Sequence, residues 1–127
     1  MAGELETAVR KMFDALDRGD AGSVGEDIAS DAQGIDEISR RWMRGADEVR
    51  AYTSQLSSQA KDVRSELVHV HETVWGDVGL LTCWLEQDYT FEGDRRHISA
   101  PTTVVLRREG GAWKFALFHS APLPEQS

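Results

Sequence analysis

Residues 101–124 read PTTVVLRREGGAWKFALFHSAPLP. Two runs rich in Val, Leu, Phe and Trp flank Arg108, Glu109, Gly110 and Gly111, and the paired glycines supply the positive φ angles that a tight hairpin turn requires. The stretch therefore predicts an antiparallel hairpin. The two-residue strand period puts Trp113, Phe115, Leu117 and His119 on one face. A titratable ring then stands at the end of the second strand, where Pro122 prevents the ladder from continuing.

Working back from the hairpin, the same period persists. Leu80 to Phe91 alternates as a strand, with Leu81, Cys83 and Leu85 on one face and Leu80, Thr82 and Trp84 on the other. Both faces are apolar at its start, which predicts cover on both sides. Glu92 to Arg95 make the loop between it and the hairpin. Val63 to Val74 is a further strand, and Trp75, Gly76, Asp77, Val78 and Gly79 are its turn. Before Lys61 the period becomes helical. Val49, Tyr52, Thr53 and Leu56 form the inward stripe of a helix from Ala46 to Gln59, with Asp47 and Glu48 complementing its dipole. Leu5, Val9, Met12, Phe13 and Leu16 form the stripe of a first helix that Gly19 stops. Between them, Val24 and Ile28 suggest a short second helix followed by an irregular passage. Ile35, Ile38 and Trp42 fit either a short strand or another helical turn. Helices followed by consecutive antiparallel strands predict an α+β domain with one curved sheet against its helices.

The chain has 127 residues, enough for one domain spanning 1–127 that buries roughly two thirds of its unfolded surface. Its 22 Asp plus Glu against 14 Lys plus Arg give a formal charge of −8. That excess disfavours nucleic acid and anionic membrane as partners. Cys83, the single cysteine, cannot form an internal disulfide and reads as a small buried hydrophobe. The acidic N-terminus lacks the pattern of a signal peptide, and no run approaches the ~20 apolar residues of a membrane span, so a cytoplasmic protein is expected. Gly-rich phosphate loops, CxxC pairs, HExxH and GxSxG are all absent from the sequence, and no cofactor is called for.

Trp42, Arg44 and Gly45 followed by Ala46, Asp47, Glu48 and Val49, then Trp75 and Gly76, then Thr102 to Arg108, Gly110 to Lys114, and His119 with Ser120, occur in an order that resembles the nuclear transport factor 2-like superfamily. The likeness is to its SnoaL-like and ketosteroid-isomerase-like branch. It implies a cystatin-like α+β roll, in which a cone-shaped, curved antiparallel (mixed) sheet wraps about three N-terminal helices around a pocket. It also implies a homodimer formed through the outer face of the sheet. Ketosteroid isomerases pair a carboxylate base with a Tyr and a protonated carboxylic acid as oxyanion donors. The first helix here offers Asp14 and Asp17 but no tyrosine, so that triad is not carried over. The superfamily hosts isomerases, cyclases and lyases as well as binding and association domains, so the fold alone assigns no activity.

The residues themselves supply the candidates. His119 titrates near neutral pH and can work as acid or base with Asp36, the two proposed catalytic residues. Trp42, Tyr52, Trp84, Phe115, Leu117 and His71 would bind a small apolar or cyclic ligand, aromatic walls being suited to flat rings. The same rings would equally fill a tapering core. His69, His71 and His119 together would suit a metal if they converged; the competing reading, a polar sheet face, leaves the metal assignment at none. Glu86 and Asp88 share a strand face that His97 can meet from the next strand, as a surface charge cluster. The expected function is a small-molecule-binding domain working by proton transfer as an isomerase, cyclase or lyase. The alternative is a non-catalytic dimerisation or ligand-sensing module.

Overall fold

The computed structural model describes residues 3–36 and 38–121; Pro122 lies outside them. Helices α1 (Glu4–Asp17) and α2 (Ala21–Val24) are followed by strands β1 (Ile28–Ile35) and β2 (Met43–Arg44). Helix α3 (Ala46–Gln59) then leads directly into β3 (Ala60–Trp75), β4 (Val78–Phe91), β5 (Asp94–Glu109) and β6 (Ala112–Ser120). The six strands form one open sheet in the order β2-β1-β6-β5-β4-β3. It is mixed because β1 runs parallel to β6 while every other pair is antiparallel.

The hairpin forms as predicted, with Gly110 and Gly111 at φ 58° and 83° in its turn. Its first strand is longer than its apolar run, because β5 starts at Asp94 and carries Pro101 in its middle. Pro101 pairs with Trp84 of β4, whereas the β6 ladder begins one residue later at Thr102 and Ser120. The proline therefore sits where the strand has lost one neighbour and its missing N–H is tolerated.

Strand β4 alternates cleanly. Leu81, Cys83, Leu85, Gln87 and Tyr89 are buried, and the residues between them are half-buried. Leu5, Val9 and Phe13 of α1 pack onto Leu81, Leu85, Val104 and Leu106 to make the main core. Gly79 permits this approach, since a Cβ there would stand 2.7 Å from the Leu5 side chain. The opposite face, with Leu80 and Trp84, is only half-covered, which corrects the expectation that β4 is buried on both sides.

No side chain of its own caps the start of α1. A distant one does. Glu72 of β3 accepts hydrogen bonds from the Leu5 and Glu6 amides at 2.8 and 3.2 Å, placing a carboxylate at the positive end of the helix. Glu72→Ala is expected to lower unfolding free energy by about 0.5–2 kcal/mol, the range for a lost N-cap, measured by urea denaturation.

Two further sequence expectations are revised. Ile28 opens β1 rather than extending the second helix, so strands β1 and β2 separate α2 from α3 and the helices do not all precede the sheet. Ser30, Asp31 and Gly34 give β1 little strand propensity. Tertiary pairing supplies what propensity lacks: β6 on one side, β2 on the other, and backbone bonds from Gly45 N to Ala32 O at 2.7 Å and Phe115 N to Asp27 O at 2.8 Å.

The second revision concerns side-chain direction. The β5–β6 register slips by one residue between Val105–Leu117 and Leu106–Phe115, leaving Ala116 as an extra residue in β6. A one-residue bulge reverses which face the following side chains occupy. Phe115 is buried opposite Leu106, while His119 pairs with Thr103 and is exposed. Phe115 and His119 therefore do not share a face. A second slip in β3 falls between Val68 and His71, where His69 takes φ 54°.

Candidate functional site

A cavity of about 100 Å³ lies between the helices and the sheet. Met12, Phe13 and Leu16 of α1 form one wall, Val49, Tyr52, Thr53 and Leu56 of α3 another, and Leu85, Phe115 and Phe118 the sheet side. The first two sets are the helical stripes visible in the sequence. Beside these apolar walls, the polar groups on the lining are Gln33, Asp36, Tyr52, Thr53 and Gln87.

Asp36 is the centre of the polar end. It follows β1 directly, and its Oδ1 accepts the amides of Ile38 at 3.0 Å and Ser39 at 2.7 Å, an Asx turn that fixes the carboxylate on its own backbone. The Ser39 hydroxyl in turn receives the Asp36 amide at 3.1 Å. Tyr52 reaches across from α3 and donates its hydroxyl to both carboxylate oxygens, at 2.8 Å each. Oδ1 thus has three donors and Oδ2 only the shared phenol, so Oδ2 is the oxygen with accepting capacity left among these contacts. The sequence signal for this pair was an acid after a short strand and a tyrosine on the inward stripe of the next helix.

At the other polar position, Gln87 donates its amide nitrogen to Ser65 Oγ at 2.9 Å. Ser65 donates its hydroxyl and amide to Asp17 at 2.7 and 3.0 Å. Burial pushes the Asp17 carboxyl above its ordinary value, against the lowering effect of the Ser65 hydrogen bonds. Thr53 turns its hydroxyl back to the Arg50 carbonyl at 3.0 Å. Gln87 and Ser65 were not singled out from sequence; their alternation with Leu85 and Leu67 was the only signal.

The predicted residues divide. Asp36, Tyr52, Phe115 and Leu117 line the cavity. Trp42 and His119 meet each other instead, with ring centroids 6.1 Å apart and planes 20° off parallel. Neither lines the cavity; Trp42 is 41% exposed and His119 is exposed. His71 is exposed and Trp84 half-buried on the face opposite Leu81 and Leu85. His119, Trp42, Trp84 and His71, expected at a pocket, are thus not on the lining of this cavity. The histidine metal set fails on distance. His71 pairs with Thr82, Thr82 with Thr103 and Thr103 with His119, so three strand spacings, roughly 14 Å, separate the two rings' backbones.

The family of SnoaL-like domains matches residues 5–124. The chain belongs to that family. No curated relative matches this SnoaL-like chain. Solved structures do, at identities that speak for the fold alone. A candidate dehydratase of the nuclear transport factor 2-like family from Streptomyces avermitilis superposes with TM-score 0.86 at 18% identity, covering 94% of each chain. A ketosteroid isomerase-like protein from Erwinia carotovora atroseptica gives TM-score 0.79 at 18% identity, again over 94% of each chain. A candidate calcium/calmodulin dependent protein kinase II association domain from Xanthomonas campestris gives TM-score 0.84 at 17% identity, covering 97% of this chain and 88% of that one. No helix among the described residues of this SnoaL-like domain is long and apolar enough to cross a membrane.

The outer face of the domain holds the predicted charge cluster. His97 Nδ1 lies 2.7 Å from Asp88 Oδ1 and its Nε2 lies 3.0 Å from Glu86 Oε2, while Ser99 donates to Glu86 Oε1 at 2.8 Å. A neutral imidazole has one N–H, so two carboxylate contacts use the imidazolium. The Asp88 hydrogen bond, with that of Glu86 behind it, raises His97 above its ordinary value of 6.5. A raised folded value means the contribution to stability is complete below pH about 6.5 and disappears as pH rises through the folded value. The ring is 55% exposed, so solvent screening keeps the effect small. NMR titration of the His97 ring should give a midpoint above 6.5, and His97→Gln should flatten the decline of stability above that pH.

Proposed function

We propose that this SnoaL-like domain binds a small apolar or cyclic molecule in the cavity beneath α3 and that Asp36 moves a proton on it. The observation that carries the reading is the Tyr52–Asp36 contact at the polar end of an otherwise apolar cavity. Apolar burial supplies the binding and the carboxylate supplies the base. In a substrate with a C–H beside a carbonyl, Asp36 Oδ2 takes the proton and the C–H electron pair moves into the carbonyl, leaving an enolate oxygen. Tyr52, released from Asp36 as that group gains its proton, is the nearby hydroxyl able to turn toward the oxyanion. Where the substrate carries a β,γ double bond, the enolate is a dienolate and return of the proton to its γ carbon is an isomerisation; loss of a β substituent is a lyase step. The printed descriptions of the relatives, a dehydratase and a ketosteroid isomerase-like protein, are compatible with either. The test follows hydrogen–deuterium exchange of a small cyclic ketone in D2O by NMR. Protein-dependent exchange supports the proposal, and exchange no faster than in buffer across a panel of such ketones rejects the catalytic part.

A second reading, association through the outer sheet face, is favoured by a separate observation. Trp75 and Val78, paired across the β3–β4 turn, are 58% and 40% exposed, an apolar group that a partner surface would cover. The association domain among the similar structures is compatible with this. A homodimer mass by light scattering, converted to the monomer mass by Trp75→Glu, is the expected result. A wild-type monomer at high micromolar concentration would reject it.

A further inference from the structure

Besides its size and apolarity, the cavity has a charge of one sign on its lining. Among the described lining residues Asp36 is the one charged side chain; no Lys, Arg or His joins it there. Three of the donor side chains on the wall already have acceptors within the protein, and the amide of Gln33 is the neutral donor beside them. Tyr52 donates to Asp36, Thr53 to the Arg50 carbonyl, and Gln87 gives an amide hydrogen to Ser65. The one charge on the lining is therefore an acceptor, the Asp36 carboxylate, whose Oδ2 has accepting capacity left among the contacts above, beside Leu, Phe, Val and Met side chains. An anion brought there loses its water and gains a carboxylate neighbour with no cation on the described lining to offset it. A cation loses its water too, but gains a charge-assisted hydrogen bond to Oδ2 in surroundings where that bond is stronger than in water. The formal charge of −8 biases the wider field in the same direction.

We infer that the cavity discriminates by ligand charge, taking single-ring compounds that bear an ammonium or other cationic group in preference to neutral ones, and rejecting the matching carboxylates. The inference rests on the proposal that the cavity binds small ring compounds at all. Its size limits it to one ring at most. At about 100 Å³ it is smaller than the ~150 Å³ engineered cavity that holds benzene. Met12 and Met43 on its wall, with their adaptable unbranched side chains, can yield the difference.

The test compares three probes of nearly equal shape: benzylammonium, benzyl alcohol and benzoate, titrated against the intact protein by ligand-observed NMR at neutral pH and low salt. The expected order is benzylammonium tightest, by about ten- to hundredfold over benzyl alcohol, as a hydrogen bond to a charged group implies, with benzoate weakest. In Asp36→Asn, checked for folding by circular dichroism, the ratio of the first two affinities should fall to about one. Because the ranking is read on the wild-type protein, it stands even where the variant does not fold. Equal affinities, or benzoate binding tightest, would overturn the charge selection while leaving the ring-binding cavity intact. Binding by none of the three would overturn both.

Discussion

Replacing Asp36 with asparagine is expected to slow exchange of a bound cyclic ketone by about 10²–10⁴-fold, the contribution of a positioned general base. Asparagine keeps the size of the side chain, and its carbonyl oxygen can still accept the Ile38 and Ser39 amides that form the turn. Its amide nitrogen cannot take a proton from carbon, so the loss falls on chemistry rather than on the fold. Tyr52→Phe leaves the carboxylate and removes the hydroxyl that donates to both of its oxygens. It should cost about 10²–10³-fold if the phenol serves the developing oxyanion. The two variants separate roles: a rate that survives Asp36→Asn within about threefold excludes Asp36 as the base, whatever Tyr52→Phe does. His119→Ala, by contrast, should leave exchange unaltered, because the ring stacks on Trp42 away from the cavity lining.

The largest expected effect on stability is Leu81→Ala, at about 2–5 kcal/mol. Leu81 is fully buried and belongs to the cluster that joins α1 to the sheet, so truncation leaves a void that Leu5 and Val9 cannot close without moving the helix. Its neighbour Leu80 points to the other face and is half-buried. Leu80→Ala should cost under about 1 kcal/mol in a monomer, as partly exposed apolar positions do. Paired urea denaturations measure the difference. Similar losses for the two variants would mean that the outer face is as well covered as the inner one, and a dependence of the Leu80→Ala loss on protein concentration would place a second copy there.

These two leucines also show what the sequence disclosed. In β4 the alternation runs unbroken, so the inner set Leu81, Cys83, Leu85 could be read directly and the structure buries all three. Helical stripes were equally legible: Met12, Phe13 and Leu16 from one, Val49, Tyr52, Thr53 and Leu56 from another, converge on the cavity. Alternation failed at the bulges. Nothing in FALFHS marks Ala116 as an extra residue, because the slip is set by how β6 fits between β1 and β5. Its consequence is that Phe115 and His119, expected on one face, lie on opposite ones. Strand β1 was hidden for another reason. Residues such as Asp31 and Gly34 do not favour strands alone, and Asp31 instead anchors Arg107 of β5 through two hydrogen bonds at 3.2 and 2.9 Å. Asp36 was singled out as the acid after the second helix by comparison with ketosteroid isomerases, and Tyr52 because its helix had a clear inward face. That they bond to each other is tertiary information: the turn after β1 and the second turn of α3 are brought together by the strand pairing between them.

Mapping where a small ring binds tests the central claim most directly. Methyl and aromatic NMR shifts recorded during titration with benzyl alcohol should move at Met12, Val49, Leu56 and Phe115, which line the cavity, and should leave Val74, Trp75 and His119 unmoved. Shifts confined to Trp75, Trp84 or His119 on the outer face, with the cavity signals still, would contradict it.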